Sequence, residues 1–147
     1  MRYLLLAALL PLACCGPKAT SLDDFPTRPI TLPGGQVIRI ETMVSDFDLL
    51  RGMMFRTSLA PDHGMLFIYR KPDHYQLWMY QTLIPLDSIW LDSNRDIVEI
   101  LENLQPCKTP ASQCPKYGGK QISSYSLEIG AGMAKKYGLQ IGQRIQL

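Results

Sequence analysis

The residues best suited to chemistry in this chain fall between positions 56 and 87: Arg56, His63, Trp78, Met79, Gln81, Thr82 and Asp87. Trp78 and Met79 would supply an apolar wall, and the others a few polar groups converging on it. Small-molecule pockets combine burial with orientation in this way. The same residues also suit structural duty. Trp78 and Met79 can pack in a core or at its rim, Arg56 and Asp87 can form an ion pair, and Thr82 can settle the turn before Pro85. A hydrolase-type site would use His63 and Asp87 as base and orienter, with Thr82 or Ser88 as nucleophile. Nothing in their spacing brings these groups together, and the chain lacks a GxSxG elbow. No cofactor is implied and no metal is expected, because His63 and His74, the two histidines, show no ligand spacing. Asp92, Asn94 and Asp96 open like a calcium loop, but Ile97 and Asn103 stand where its glycine and bidentate glutamate belong. They are better suited to an Asx-stabilised hairpin turn.

Cys107 and Cys114, in PCKTPASQCPKYGG, form the next cluster. In an oxidising compartment they are expected to be joined in a disulfide, and nothing nearby would lower a thiol pKa for catalysis. The compartment is suggested by the first stretch, MRYLLLAALLPLACCG, which has a charge at Arg2, an apolar run and then small residues and cysteines. That is the layout of an export signal, and it falls short of the roughly 20 apolar residues that a membrane span needs. Its end resembles a lipobox, with either Cys14 or Cys15 as the lipid-bearing residue. The chain is therefore expected to be exported and anchored by lipid to a bacterial cell envelope, on the periplasmic or outer surface. Residues 1–14 would be the leader, 15–30 a tether rich in turn formers, and 31–147 a single domain, a size typical of one core. Removing the leader takes away only Arg2, so the formal charge falls from +2 to +1. With basic residues scattered, no stripe for nucleic acid exists. The expected partners are the membrane through the lipid and a small molecule or envelope protein, and a monomer is expected because nothing demands association.

The elements that must position these residues are mostly strands. Residues 31–32 and 36–44 flank Pro33-Gly34-Gly35 as a hairpin, the second arm alternating apolar and polar residues. Ser45 or Asp46 caps a short helix carrying Phe47, Leu50 and Met54 at helical spacing, interrupted by Gly52. Strands are predicted at 64–69, 75–80, 84–91 and 96–103, with turns at 71–73 and 92–95; their short connections predict antiparallel pairing, since parallel strands need a crossover of a dozen or more residues. A strand over 122–130, a helix around Met133, Ala134 and Tyr137 ending at Gly138, and a last short strand at 144–147 complete the chain. About seven strands and two brief helices indicate a mainly β domain, either an antiparallel sandwich or a partly closed barrel.

Five blocks in order, RGMMFR (51–56), GMLFIY (64–69), LWMYQTLIPLDSIWLD (77–92), PCKTPASQCPKY (106–117) and YSLEIGAGMAKKYGLQIGQRI (125–145), resemble the signatures of the uncharacterised family DUF192. The resemblance spans nearly everything from Val37 onward and implies a compact β-sandwich of jelly-roll type, often behind an export signal. It implies no activity. Where the family has RGLM this chain has Arg51-Gly52-Met53-Met54, a swap that packing tolerates. Where the family has WMKNT it has Trp78-Met79-Tyr80-Gln81-Thr82, without the lysine and the asparagine. The function expected is an accessory binding module for a small ligand or an envelope partner, acting through the region from Trp78 to Asp87. The alternatives are a purely structural or protein-interaction module with no pocket, and the hydrolase-type enzyme built on His63 and Asp87.

Overall fold

A computed structural model describes residues 25–147; the leader, Cys14, Cys15 and most of the expected tether lie outside the described residues. Eight strands form: β1 Thr27–Thr31, β2 Val37–Met43, β3 His63–Asp73, β4 Gln76–Trp78, β5 Leu86–Leu91, β6 Ile97–Leu104, β7 Lys116–Gly118 and β8 Ser123–Gly130. Six of them make one sheet in the order β1-β2-β3-β8-β5-β6, and β4 pairs with β7 in a separate small sheet. The fold is mainly β, as expected, but the large sheet does not close into a barrel. β1 begins at Thr27, so the first strand takes up the end of the stretch read as tether.

Pairing is antiparallel with one exception, since β2 runs parallel to β3. The crossover that this requires is residues 44–62, long enough to leave one edge of a strand and return in the same direction. Helix α1, Asp46–Arg51, lies in that crossover, and the Ser45 hydroxyl caps it by accepting from the Asp48 amide. Two other expectations change. Lys71-Pro72-Asp73 does not turn the chain but ends β3, where Asp73 pairs with Ser123 after an irregularity. The C-terminal strand is reduced to isolated bridges, Asp96 to Arg144 and Thr31 to Gln146.

Alternation along the strands gives the large sheet two different faces. One carries Ile38, Ile40, Leu66, Ile89, Leu127 and Ile129, and it is covered by helix α2, Met133–Lys136, and by Leu139 and Ile145. The other carries Met43, Met65 and Phe67, which pack with Met53 and Met79. On this second face Trp90 is fully buried, and its indole N–H donates to the Tyr75 carbonyl at 2.9 Å. The ring fits only because position 118 of β7 is glycine: a Cβ there would sit 2.1 Å from the indole.

Cys107 and Cys114 are joined by a disulfide, as expected, around a one-turn 3-10 helix, Ala111–Gln113. The Cys107 amide donates to the Met79 carbonyl at 3.0 Å, so the bridged loop holds the segment that follows β4. Closing so short a loop contributes about 2–3 kcal/mol by restricting the unfolded chain. Replacing both cysteines with serine should lower the unfolding free energy by that amount in urea titrations of otherwise identical chains; an unchanged midpoint would show that the bridge adds nothing.

Candidate functional site

A cavity of about 290 Å³ opens on the second face of the sheet, between α1 and the small sheet. Its floor is the polar side of β8, where Ser126 and Glu128 alternate with the core residues Leu127 and Ile129. Phe67 and Tyr69 of β3 form one wall, Trp78 of β4 and Tyr80 the other. Met53, Met54, Thr82 and Lys116 of β7 also contribute to the lining.

The segment after α1 is pinned to this place by a cross-connection. Met54 bridges Thr82, and the Phe55 amide donates to the Gln81 carbonyl at 2.8 Å. Both Phe55 and Gln81 have positive φ, 66° and 54°, a conformation that costs side-chain-bearing residues energy and tends to occur at functional sites. Gly52, at φ 44°, lets the chain pass close to Phe67, because a Cβ there would lie 3.1 Å from the ring.

Charge is unevenly distributed behind the cavity. Glu41 of β2 and Glu128 of β8 both pair in register with Met65, so they flank it on one face of the sheet. Glu41 is neutralised by a bidentate fork from Arg56, both side chains being buried. Glu128 is fully buried, and that burial pushes its carboxyl up to about 8 against the opposing pull of Arg56. The carboxyl is therefore largely protonated at neutral pH, a donor and acceptor of hydrogen bonds without a charge. On its other side Glu128 pairs in register with Ser88, whose buried hydroxyl has no hydrogen-bond partner among the described residues.

Aromatic packing shapes the rest of the cavity. The Tyr69 hydroxyl lies 2.7 Å from that of Ser126, and burial raises its pKa to about 12. Its ring stacks on Tyr75 with centroids 3.6 Å apart. The exposed Lys116 ammonium lies 3.8 Å from the centroid of Trp78, a cation–π contact that restricts the indole.

The expected site residues separate into four groups. Trp78 and Thr82 line the cavity, and Arg56 and Met79 stand behind it, the first paired with Glu41 rather than Asp87 and the second in the core. Gln81 helps line a second depression, beside Cys107. His63 and Asp87 are not brought to the cavity. Asp87 faces the opposite side of the sheet, where it accepts from the amides of Asn103 and Ala134 at 2.8 Å each and so ties β6 and α2 to β5. His63 shares the face of Met65 and bonds to Asp62 at 2.9 Å. Histidine and aspartate thus project from opposite faces, and the acid–base pairing of the hydrolase alternative is not formed. Glu128, Tyr69, Tyr80 and Lys116 were not among the expected residues. The alternation Ser124, Ser126, Glu128 was the available signal for the floor.

The described residues form a small mainly β domain with a lined cavity. Residues 30–147 match the family model DUF192, described as "Uncharacterized ACR", and the chain belongs to that family. Among solved structures it is similar to a protein of unknown function from Novosphingobium aromaticivorans DSM 12444, with 27% identity and a TM-score of 0.76 over 91% of this chain and 94% of that one. It is also similar to a protein from Sinorhizobium meliloti 1021 described as a "putative transcription regulator", with 29% identity and a TM-score of 0.68 over 80% of this chain and 89% of that one. No curated protein matches the sequence.

Two outcomes follow from the buried charges. Arg56→Met strands Glu41 without its partner and should cost about 3–5 kcal/mol, whereas Arg56→Met with Glu41→Leu should recover most of the loss. A double-mutant cycle in denaturant measures both, and additive losses would mean that the fork is not a unit. Because burial raises the Glu128 pKa from 4.5 to about 8, the folded state holds a proton over that interval that the unfolded state has released. Its stability contribution is complete below about pH 4.5, declines as pH rises and is gone above about 8. Melting temperatures of the unaltered chain should fall across that window relative to Glu128→Gln, and parallel curves would refute the assignment.

Proposed function

We propose that this protein is an accessory binding module of the cell envelope that holds a small ligand in the cavity floored by Glu128. The observation carrying this reading is a buried carboxyl, which its burial favours in the uncharged form, at the floor of an aromatic-walled cavity. Burying such a group opposes folding unless it finds hydrogen-bond partners, and a perturbed carboxyl in a cleft marks a candidate functional position. Glu128 and Thr82 would orient the ligand, while Trp78, Tyr80 and Phe67 would supply contact area. A volume near 290 Å³ sits at the small end of ligand sites and suits a compact molecule or one end of a larger molecule.

The address rests on the sequence. The leader-like start and the cysteines at 14 and 15 support export and lipid anchoring, and a disulfide in so small a domain is consistent with an oxidising compartment. Two acyl chains or more would make such an anchor stable.

Saturation-transfer NMR against a set of small polyols, sugars and carboxylic acids tests the cavity. At least one compound should show contact that Trp78→Ala and Glu128→Gln each reduce about tenfold or more in affinity, with the fold retained. A set in which no compound responds to either substitution would reject the reading. In the producing cell, Cys14→Ser together with Cys15→Ser should move the chain out of the membrane fraction; retention there would reject the anchor.

A further inference from the structure

The cavity does not end at its rim. An apolar groove of about 520 Å³ continues from it, lined by Phe47, Leu50, Met54, Phe55, Trp78 and Tyr80. Leu50, Arg51, Met54, Trp78 and Tyr80 belong to both spaces, so the polar chamber and the groove share a wall.

The groove is made from side chains that the fold leaves uncovered. In α1, Leu49 turns inward to the second core cluster, while Phe47 and Leu50 are 69% and 63% exposed. Phe55 is 54% exposed although its backbone is held in the left-handed region. The stripe of Phe47, Leu50 and Met54, set at helical spacing in the sequence, faces this groove. An open apolar channel leading to a chamber with an acid and hydroxyls has two chemistries end to end, and a ligand filling both must have them too.

We propose that the site takes a single-chain amphiphile, with an uncharged hydroxyl-bearing head against Glu128 and Thr82 and an apolar chain along Phe47, Leu50 and Phe55. This rests on the cavity reading above. An uncharged head is favoured because the cations of the lining are already engaged, Lys116 over Trp78 and Arg51 over Phe25, as is Arg56 behind it with Glu41, so the chamber offers hydrogen bonds rather than an open counter-charge. The charged and titratable groups around Glu128 are Arg56 from the segment after α1, which acts on its carboxyl, Tyr69 from β3, and Arg51, Tyr80 and Lys116 in the lining of the same chamber. Each fully buried methylene should tighten binding about fourfold, and about twofold in a half-open groove.

Calorimetric titration of the full chain with glycerol and with its butanoyl, hexanoyl and octanoyl monoesters, below their aggregation concentrations, tests the inference. Affinity should rise at least tenfold from butanoyl to octanoyl, and Phe47→Ser with Leu50→Ser, both at exposed positions, should abolish the dependence on chain length. Octyltrimethylammonium and octanoate should bind more weakly than octanoylglycerol. Affinity independent of chain length overturns the groove, and tighter binding of either charged compound overturns the uncharged head. If no ester binds while the polar compounds of the earlier test do, the amphiphile is rejected and the cavity stands; if neither set binds, both fall.

Discussion

The buried fork between Arg56 and Glu41 is the interaction on which the cavity depends. The crossover from β2 to β3 has to travel over the face of the sheet, and Arg56 is where it is held down by charge. A buried pair of this kind contributes less net stability than its hydrogen bonds suggest, because both ions lose water. Its value lies in position. With Arg56 committed to Glu41, α1 is kept at a fixed distance above β8, and Glu128 is left as the acid that burial keeps protonated.

The sheet itself is asymmetric by design of its alternation. On β8, Leu127 and Ile129 face a dry core, while Ser124, Ser126 and Glu128 face the opposite layer. Asp87 shows the same economy on β5: its carboxylate faces the first core, and its two oxygens satisfy amides from β6 and α2. Polar residues on both faces are thus accounted for by different needs. Asp87 closes backbone groups that would otherwise be orphaned, whereas Glu128 lines an accessible space.

Much of this arrangement can be read from residue order. Ser45 before an acidic first turn marks α1, period-two alternation marks β2, and the cysteine pair marks its bridge. What local pattern does not carry is which polar positions become covered. Ser124, Ser126 and Glu128 have the spacing of a solvent-facing edge, and only the small sheet and α1 packing over them turn that edge into a floor. The parallel pairing of β2 and β3 is hidden for a related reason, because the crossover contains a helix of only six residues and resembles a long loop. Asp87 illustrates the converse. Its proximity in sequence to Trp78 and Thr82 suggests a shared site, but one residue of strand phase sends it through the sheet. His63 is separated from it by the same rule.

The two tryptophans occupy opposite situations within one layer. Trp90 is sealed, its indole nitrogen committed to the Tyr75 carbonyl and its ring pressed against the backbone of Gly118. Trp78 is half-buried beneath an ammonium at the mouth of the cavity. The protein therefore carries a pair of intrinsic optical reporters, one in a buried interior and the other at the mouth of the cavity, where any occupant would change its surroundings. Light from the first would register whether the sheet is intact, and light from the second any change at the cavity mouth.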